Sequence, residues 1–112
     1  MLNIETLNAF GSDTTTGIKR CANNEALYFK LVRTVPSNHG FNDLYDSIKN
    51  NDLDAAFSFA HGLKGILSNL SLDSLYKPVY EITEHLRNKD NIDYSSYINI
   101  IESKRKELEN LL

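Results

Sequence analysis

A histidine, a lysine and two glycines stand close together in the apolar segment AHGLKGILSNL, which runs from residue 60 to residue 70. Imidazole is a good nucleophile that is largely neutral near pH 7, and the P–N bond that it forms with a phosphoryl group is labile enough to pass the group on to a carboxylate. A lysine three residues later can neutralise charge on the phosphoryl oxygens. The segment therefore predicts a phosphoryl-transfer site with His61 as the acceptor and Lys64 as its cation.

The segment must be helical for these residues to act together. At about 100° per residue, a helix from Leu53 to about Leu70 has one broad buried stripe. That stripe contains Leu53, Ala56, Phe57, Ala60, Leu63, Leu67 and Leu70. A second stripe, about 150° away, contains Asp54, Ser58, His61, Gly65 and Ser68. His61 is thus predicted to face outward, with Lys64 between the stripes and its ammonium directed toward the outer side of the histidine.

The glycines at positions 62 and 65 weaken the helix that they occupy. Each costs about 1 kcal/mol of helix stability relative to alanine. Glycines in helices can serve close helix packing, and an exposed histidine is commonly only a surface residue. The interpretation that we favour is different: without a side chain at Gly65, the active site of a partner can close over His61.

Length, composition and charge limit the kind of protein that carries this site. The chain has 112 residues, of which 41% are hydrophobic and 24% charged, and this is typical of one globular domain. A net charge of -3 argues against nucleic acid as a partner. Cys21 is the single cysteine, which excludes an internal disulfide, and no apolar run approaches the ~20 residues of a membrane span. We expect a cytoplasmic protein that binds neither nucleic acid nor membrane.

The other histidines are expected to be ordinary surface residues. His39 lies in the turn PSNHG, and His85 follows Glu84 on a later helix. No H-x-x-x-H pair and no carboxylate pair accompanies His61 in the sequence, so no metal site is expected.

Apolar spacing and capping residues predict six helical segments. The first covers Asn3 to Phe10, and the GSDTTTG segment after it is a loop by composition, although residues 12–14 could also cap the next helix. The second helix is NNEALYFKLVRTV, which has Leu27, Leu31 and Val35 on one side and ends before Pro36. The third is FNDLYDSIKN, whose Phe41, Leu44, Tyr45 and Ile48 face a partner, and the fourth covers residues 53–70 after the capping segment Asn50-Asn51-Asp52.

The fifth helix is capped by Ser71 and has a kink or restart at Pro78. Its predicted buried residues are Leu72, Leu75, Val79, Ile82 and Leu86. The last helix is capped by Asp93.

This pattern predicts an all-α protein, an antiparallel up-and-down four-helix bundle with a short extra N-terminal helix. We expect the chain to form a single domain over residues 1–112. Residues 1–16 supply the N-terminal helix and loop, and residues 17–112 supply the bundle.

Two segments resemble the histidine-containing phosphotransfer (HPt) domains. HGLKGILSNL is similar to their phosphorylation motif, H-x-L-K-G followed by small residues and then N-L-G. The matching residues are His61, Leu63, Lys64, Gly65, Asn69 and Leu70. GIKRCANNEALYFKLV is similar to the segment G-[LI]-x-R-x-x-G-N-x-x-L-Y-x-x-L-L of bacterial members. Its matching residues are Gly17, Ile18, Arg20, Asn24, Leu27, Tyr28, Leu31 and Val32.

The resemblance has one further match and two departures. Asp52 falls where such domains often carry an acid at the start of the helix. Leu67 replaces a small residue, and we expect it to pack in the core. Ser71 replaces a glycine, and we expect it to cap the next helix.

The resemblance implies that His61, phosphorylated on Nε2, shuttles phosphate between aspartates of receiver domains. Such a domain has no kinase activity and no ATP site; its partners are receiver domains or a hybrid sensor histidine kinase. The receiver supplies Mg²⁺, so this chain needs no cofactor, and we expect it to act as a monomer. Partner docking is expected to use Ser58, Phe59, Gly62, Gly65, Ile66 and Ser68. The alternative is a helical adaptor that binds receivers without relaying; loss of the histidine or the lysine would mark it, and both are present.

Overall fold

Seven α-helices and no strands make up the fold of residues 1–112 in this computed structural model. The helices are α1 (Ile4–Phe10), α2 (Thr14–Arg20), α3 (Glu25–Thr34), α4 (Gly40–Lys49), α5 (Leu53–Asn69), α6 (Asp73–Arg87) and α7 (Ser95–Glu109). α5 packs most extensively against α6 and α4, and α6 also packs against α7. The all-helical prediction is confirmed, and none of the helices combines the length and apolar character needed to cross a membrane.

The predicted number of helices is one too low because residues 14–17 of GSDTTTG belong to α2. The carboxylate of Asp13 accepts hydrogen bonds from the Thr16 N–H at 3.1 Å and from the Thr16 hydroxyl at 2.7 Å. These bonds lower the pKa of Asp13 and satisfy an N–H of the first turn. Composition predicted a loop here, whereas the alternative, a cap within residues 12–14, is confirmed.

Side-chain caps start three other helices where the sequence predicted a start. The side chains of Asn3, Asn24 and Asp52 accept hydrogen bonds from the backbone N–H groups of Thr6, Leu27 and Ala55. Pro36 follows the C-cap of α3 at Val35, as predicted. The start of α5, the helix that carries His61, is thus set by local sequence.

The buried side of α3 differs from the predicted one. Tyr28, Val32 and Val35 are buried, whereas Leu27 and Leu31 are exposed. Tyr28 can be buried because its hydroxyl finds an acceptor in the core, the carbonyl of Leu70, at 3.0 Å.

Ser71 ends α5 and does not cap α6. Its φ is 53°, in the left-handed region, and its N–H donates to the Ser68 carbonyl, while the Leu72 N–H donates to the Leu67 carbonyl. This pattern is that of a helix C-terminus. The predicted N-cap role is wrong, since Leu72 occupies the N-cap position of α6. Glycine takes a left-handed φ without strain, which provides a physical reason for the glycine that ends the phosphorylation motif of HPt domains at the position of Ser71.

Two further helix boundaries differ from the predictions. α6 runs without a break through Pro78, which is buried, so the predicted restart at this residue is wrong. Asp93 lies one residue before the N-cap of α7, Tyr94, although its carboxylate accepts from the Ser95 N–H at 3.0 Å, as a capping group does. That bond and a second one from the Ser95 hydroxyl lower the pKa of Asp93.

The core is one continuous cluster of 21 buried residues contributed by all parts of the chain. The predicted stripe of α6 is confirmed, because Leu72, Leu75, Val79, Ile82 and Leu86 are buried. On α4, Phe41 and Leu44 are buried while Tyr45 and Ile48 pack partly buried against the cluster, also as predicted. Burial of such apolar surface is the main force that holds the helices together.

A polar network joins α7 to α4 and to the end of α3. The guanidinium of Arg105 donates to the carbonyl of Pro36 at 2.6 Å and to Glu102 at 3.1 Å. Glu102 also accepts from the hydroxyl of Tyr45 at 2.7 Å. Burial and this bond raise the pKa of Tyr45.

Residues of α2 and α3 bind the C-terminal end of α5. Arg20 donates to the carbonyl of Ser68, and the hydroxyl of Tyr28 donates to that of Leu70. Gly17 lies against the ring of Tyr28, where a Cβ would collide. Burial raises the pKa of Tyr28 to about 12. These residues belong to the upstream segment of the resemblance. Arg20 and Tyr28 donate hydrogen bonds to carbonyls at the C-terminal end of α5, and Gly17 leaves room for the tyrosine ring.

We expect Tyr28→Phe to lower the free energy of unfolding by about 1–3 kcal/mol, because the buried Leu70 carbonyl loses its partner. Denaturant unfolding followed by circular dichroism measures this loss. Tyr76→Phe, which removes a hydroxyl from a ring that is only partly buried, is the control. A Tyr28→Phe variant as stable as the wild type would show that water replaces this bond at no cost.

Candidate functional site

The outward face of α5 presents His61 to solvent near the middle of the helix. His61 is exposed, while its neighbour Ala60 and the residue two positions on, Leu63, are buried. The predicted division of α5 into a buried and an exposed stripe is confirmed, with Leu53 and Phe57 partly rather than fully buried. An incoming group can therefore reach the imidazole without any rearrangement of the core.

The imidazole of His61 stacks on a neighbouring ring. The centroids of His61 and Phe57 are 5.7 Å apart, and their planes differ by 21°. The two residues are one helical turn apart, so their side chains meet on the same side of α5. The sequence pattern predicted only that Phe57 belongs to the buried stripe. The spacing of four residues between Phe57 and His61 is the feature of the sequence that indicates this contact.

Lys64 lies at the boundary between the buried and exposed faces, as predicted, but its ammonium makes no hydrogen bond to His61, toward which it was expected to point. Its ammonium sits over the ring of Tyr80 on α6, 5.7 Å from the centroid. A lysine ammonium in this position is attracted by the electron-rich face of the ring. Nothing in the sequence pattern marks Tyr80 as a neighbour of the site, because the contact joins two different helices.

Gly62 and Gly65 are open to solvent. A Cβ placed on either residue would have no heavy atom within 4 Å outside the helix itself. Gly17 and Gly40 are different, because a Cβ there would meet side chains of Tyr28 and Leu63 respectively. Close helix packing therefore does not explain the glycines at positions 62 and 65. They leave a bare strip of backbone beside His61.

All six residues predicted for partner docking are exposed. Phe59 and Ile66 are apolar and expose 36% and 40% of their surface. Ser58, Gly62, Gly65 and Ser68 complete the exposed set.

A shallow groove of about 180 Å³ lies between one flank of α5 and the α3–α4 region, and His61 does not line it. It is lined by Asn38, Gly40, Ser58, Phe59, Gly62, Leu63 and Ile66. The structure thus brings four of the predicted residues together with Asn38 and Gly40 of the α3–α4 region, which no sequence pattern indicated. Gly65 and Ser68 lie outside this groove.

The two remaining histidines have different surroundings. His39 is exposed, as expected. His85 is not an ordinary surface residue: its Nδ1 lies 2.8 Å from the carboxylate of Asp90 and its Nε2 lies 3.2 Å from the hydroxyl of Tyr97. His85 therefore links the end of α6 to α7. No cluster of three or more His, Cys, Asp or Glu side chains is arranged to hold a metal ion.

No protein-family model, no curated protein and no solved structure matches this chain. A functional assignment therefore depends on the chemistry and the geometry of the residues themselves.

Replacing the open glycines with alanine tests whether they have a role outside the fold. We expect Gly62→Ala and Gly65→Ala each to raise the free energy of unfolding by about 1 kcal/mol, because alanine favours the helix and nothing obstructs the new methyl group. Thermal unfolding measures the change. Gly40→Ala is the matched control, since its Cβ would lie 3.0 Å from the Leu63 side chain and 2.9 Å from Asn38 Oδ1, and no gain is expected. Destabilisation by either α5 substitution would contradict the open geometry.

Proposed function

We propose that this chain is a histidine phosphotransfer protein of a two-component phosphorelay. His61 accepts a phosphoryl group from the aspartate of one receiver domain and passes it to another. The observation that carries the proposal is the exposed imidazole in the middle of α5, with two glycines beside it that the fold does not use for packing. The resemblance of HGLKGILSNL to the phosphorylation motif of HPt domains supports the same assignment.

The proposed arrangement of helices is an antiparallel bundle of α4, α5, α6 and α7, with α1 as the short extra N-terminal helix. Its support is the packing of α4 on α5, α5 on α6 and α6 on α7, together with the short connections 50–52 and 70–72. Short connections of this kind favour antiparallel neighbours. In this proposal the chain works in the cytoplasm as a monomer, and receiver domains or a hybrid sensor histidine kinase are its partners.

The transfer step is a substitution at phosphorus. The lone pair of the unprotonated Nε2 attacks the phosphorus of the receiver's aspartyl phosphate, while Nδ1 keeps its proton. The N–P bond forms, the P–O bond to the aspartate breaks, and the aspartate carboxylate leaves with the electron pair. A second receiver reverses these events with its own carboxylate. The chain supplies no kinase activity in this scheme, because the phosphoryl group arrives already activated, and the receiver supplies the Mg²⁺.

Lys64 has the role of charge neutralisation. The transferring group carries negative charge on its three equatorial oxygens, and phosphoryl transfer depends largely on positioning and on electrostatic stabilisation. Lys64 is one turn from His61 and its ammonium rests on Tyr80, in a contact that can be exchanged for a stronger one with a dianion.

The docking surface combines bare backbone with apolar anchors. Gly62 and Gly65 allow a receiver to approach the α5 backbone closely, while Phe59 and Ile66 offer exposed apolar area beside them. Small residues around a reactive atom and apolar residues at the edge fit a partner whose own active site must enclose that atom. Both features lie within two turns of His61.

Substitution of the acceptor provides the direct test. Wild-type protein incubated with a panel of phosphorylated receiver domains should acquire an acid-labile, base-stable label, and His61→Gln should acquire none, because no other imidazole lies on this face of α5. The fold should stay intact, since His61 lies at the surface. His39→Gln, also at an exposed histidine, should be labelled normally. Wild-type protein that binds receivers but stays unlabelled across the panel would favour the adaptor.

Removal of the cation should slow transfer without preventing it. We expect Lys64→Ala to reduce the rate of phosphoryl transfer by about tenfold or more, and Lys64→Arg to keep most of the rate because the positive charge remains. Rapid-quench measurement with a single receiver determines both rates. Equal rates for Lys64→Ala and wild type would remove Lys64 from the mechanism.

A further inference from the structure

The side chain of His61 belongs to a stack of three groups that joins two helices. Phe57 stacks on His61, with ring centroids 5.7 Å apart. The guanidinium carbon of Arg87, in the last turn of α6, lies 4.9 Å from the centroid of the same Phe57 ring. Phe57 thus contacts the imidazole and the guanidinium at once. Neither Phe57 nor Arg87 has a part in the transfer step or in the docking surface proposed for this chain.

An exposed histidine on a helix does not by itself hold one orientation. The torsion that turns an imidazole ring joins a tetrahedral to a planar carbon, and its energy wells are broad. A flat neighbour that stacks on the ring restricts this torsion, and offset stacking is a favoured geometry for aromatic rings. The plane of the His61 ring is therefore set by the plane of Phe57.

Arg87 in turn restrains Phe57. A guanidinium is planar and weakly hydrated, so it stacks well on an aromatic face. Arg87 forms an ion pair with Glu84, one turn earlier on α6, in which Nε of Arg87 lies 3.2 Å from Oε2 of Glu84. Phe57 is partly buried and packs against the core on its inner side. The ring is therefore restrained by the core and by a cation from a different helix.

We propose that Phe57 and Arg87 are positioning residues that fix the plane of the His61 imidazole for attack on a docked phosphoryl donor. This inference rests on the proposed function. A docked receiver presents its phosphorus from one direction only, so a freely turning imidazole would spend much of its time misaligned. Small errors of alignment have large effects on rate in such steps. A small phosphoryl donor in solution can approach from many directions and has much less need of a fixed ring.

A comparison of the two kinds of donor distinguishes a positioning role of Phe57 and Arg87 from a role in ordinary packing. Phosphoramidate phosphorylates histidine directly: Nε2 attacks phosphorus, the N–P bond to the imidazole forms, the P–N bond to ammonia breaks, and ammonia leaves. The reaction needs no partner protein. A positioning role predicts a loss with the receiver that greatly exceeds the loss with phosphoramidate.

The test uses four variants of the full chain. Phe57→Leu removes the ring and keeps apolar volume, and Phe57→Tyr restores a ring. Arg87→Met removes the stacking cation and keeps a long side chain, and Arg87→Lys restores a charge without the planar group. We expect Phe57→Leu to slow transfer from a receiver by about tenfold and phosphoramidate labelling by about twofold or less. Phe57→Tyr should restore the receiver rate. Arg87→Met should show a smaller loss of the same kind, which Arg87→Lys restores only in part.

A readout without phosphate checks the stack itself. The ring protons of His61 should show upfield NMR shifts caused by Phe57, and Phe57→Leu should abolish them while Arg87→Met reduces them. Ile101→Val is the stability control, because it weakens the buried core on α7 and should leave both transfer rates unchanged.

The outcomes distinguish the two levels of the proposal. A wild-type chain that no receiver labels overturns the proposed function, and the inference with it. A wild-type chain that is labelled, together with a Phe57→Leu variant that is labelled equally fast by the receiver, overturns the positioning role alone. Equal losses with both donors, unrelieved by Phe57→Tyr, would also overturn it, because they would indicate general disruption.

Discussion

The structure depends on the division of α5 into one face that packs and one that does not. α4 and α6 cover the packed face, where Ala56 and Ala60 are fully buried beside Leu63 and Leu67. Small residues at the contact let neighbouring helices approach closely, and the leucines fill the remaining volume. A rotation of α5 that placed His61 where Ala60 now lies would bring the imidazole into the core and expose apolar surface. Packing therefore fixes the position of the imidazole more firmly than any bond that the imidazole makes.

The C-terminal end of α5 is held by residues from the beginning of the chain. Arg20 and Tyr28 bind the carbonyls of Ser68 and Leu70, and Gly17 leaves room for the tyrosine ring. The two segments that resemble HPt domains are thus parts of one physical unit, although the sequence between them is long. One carries the exposed histidine, and the other secures the end of the helix on which the histidine lies.

The surroundings of His61 are built by α5 and α6 together. His61, Lys64 and Phe57 belong to α5. From α6, Tyr80 contacts the lysine and Arg87 contacts Phe57. In both contacts a cation from one helix rests on an aromatic ring of the other. Such contacts hold long side chains in place while leaving them close to solvent. Any change that moved α6 along α5 would alter both contacts at once.

Residue order alone was enough to predict the helices whose starts and stops are local. Asn24 and Asp52 cap helices through bonds to N–H groups three residues away, and the 3.6-residue period separated His61 from the core. Residue order was not enough to predict which groups meet across helices. The left-handed conformation of Ser71 results from the way α5 ends, and the contact of Arg87 with Phe57 joins residues that are far apart in the chain. Local hydrogen bonds and periodicity are encoded within a few residues, whereas stacking between α5 and α6 exists only after the core has formed.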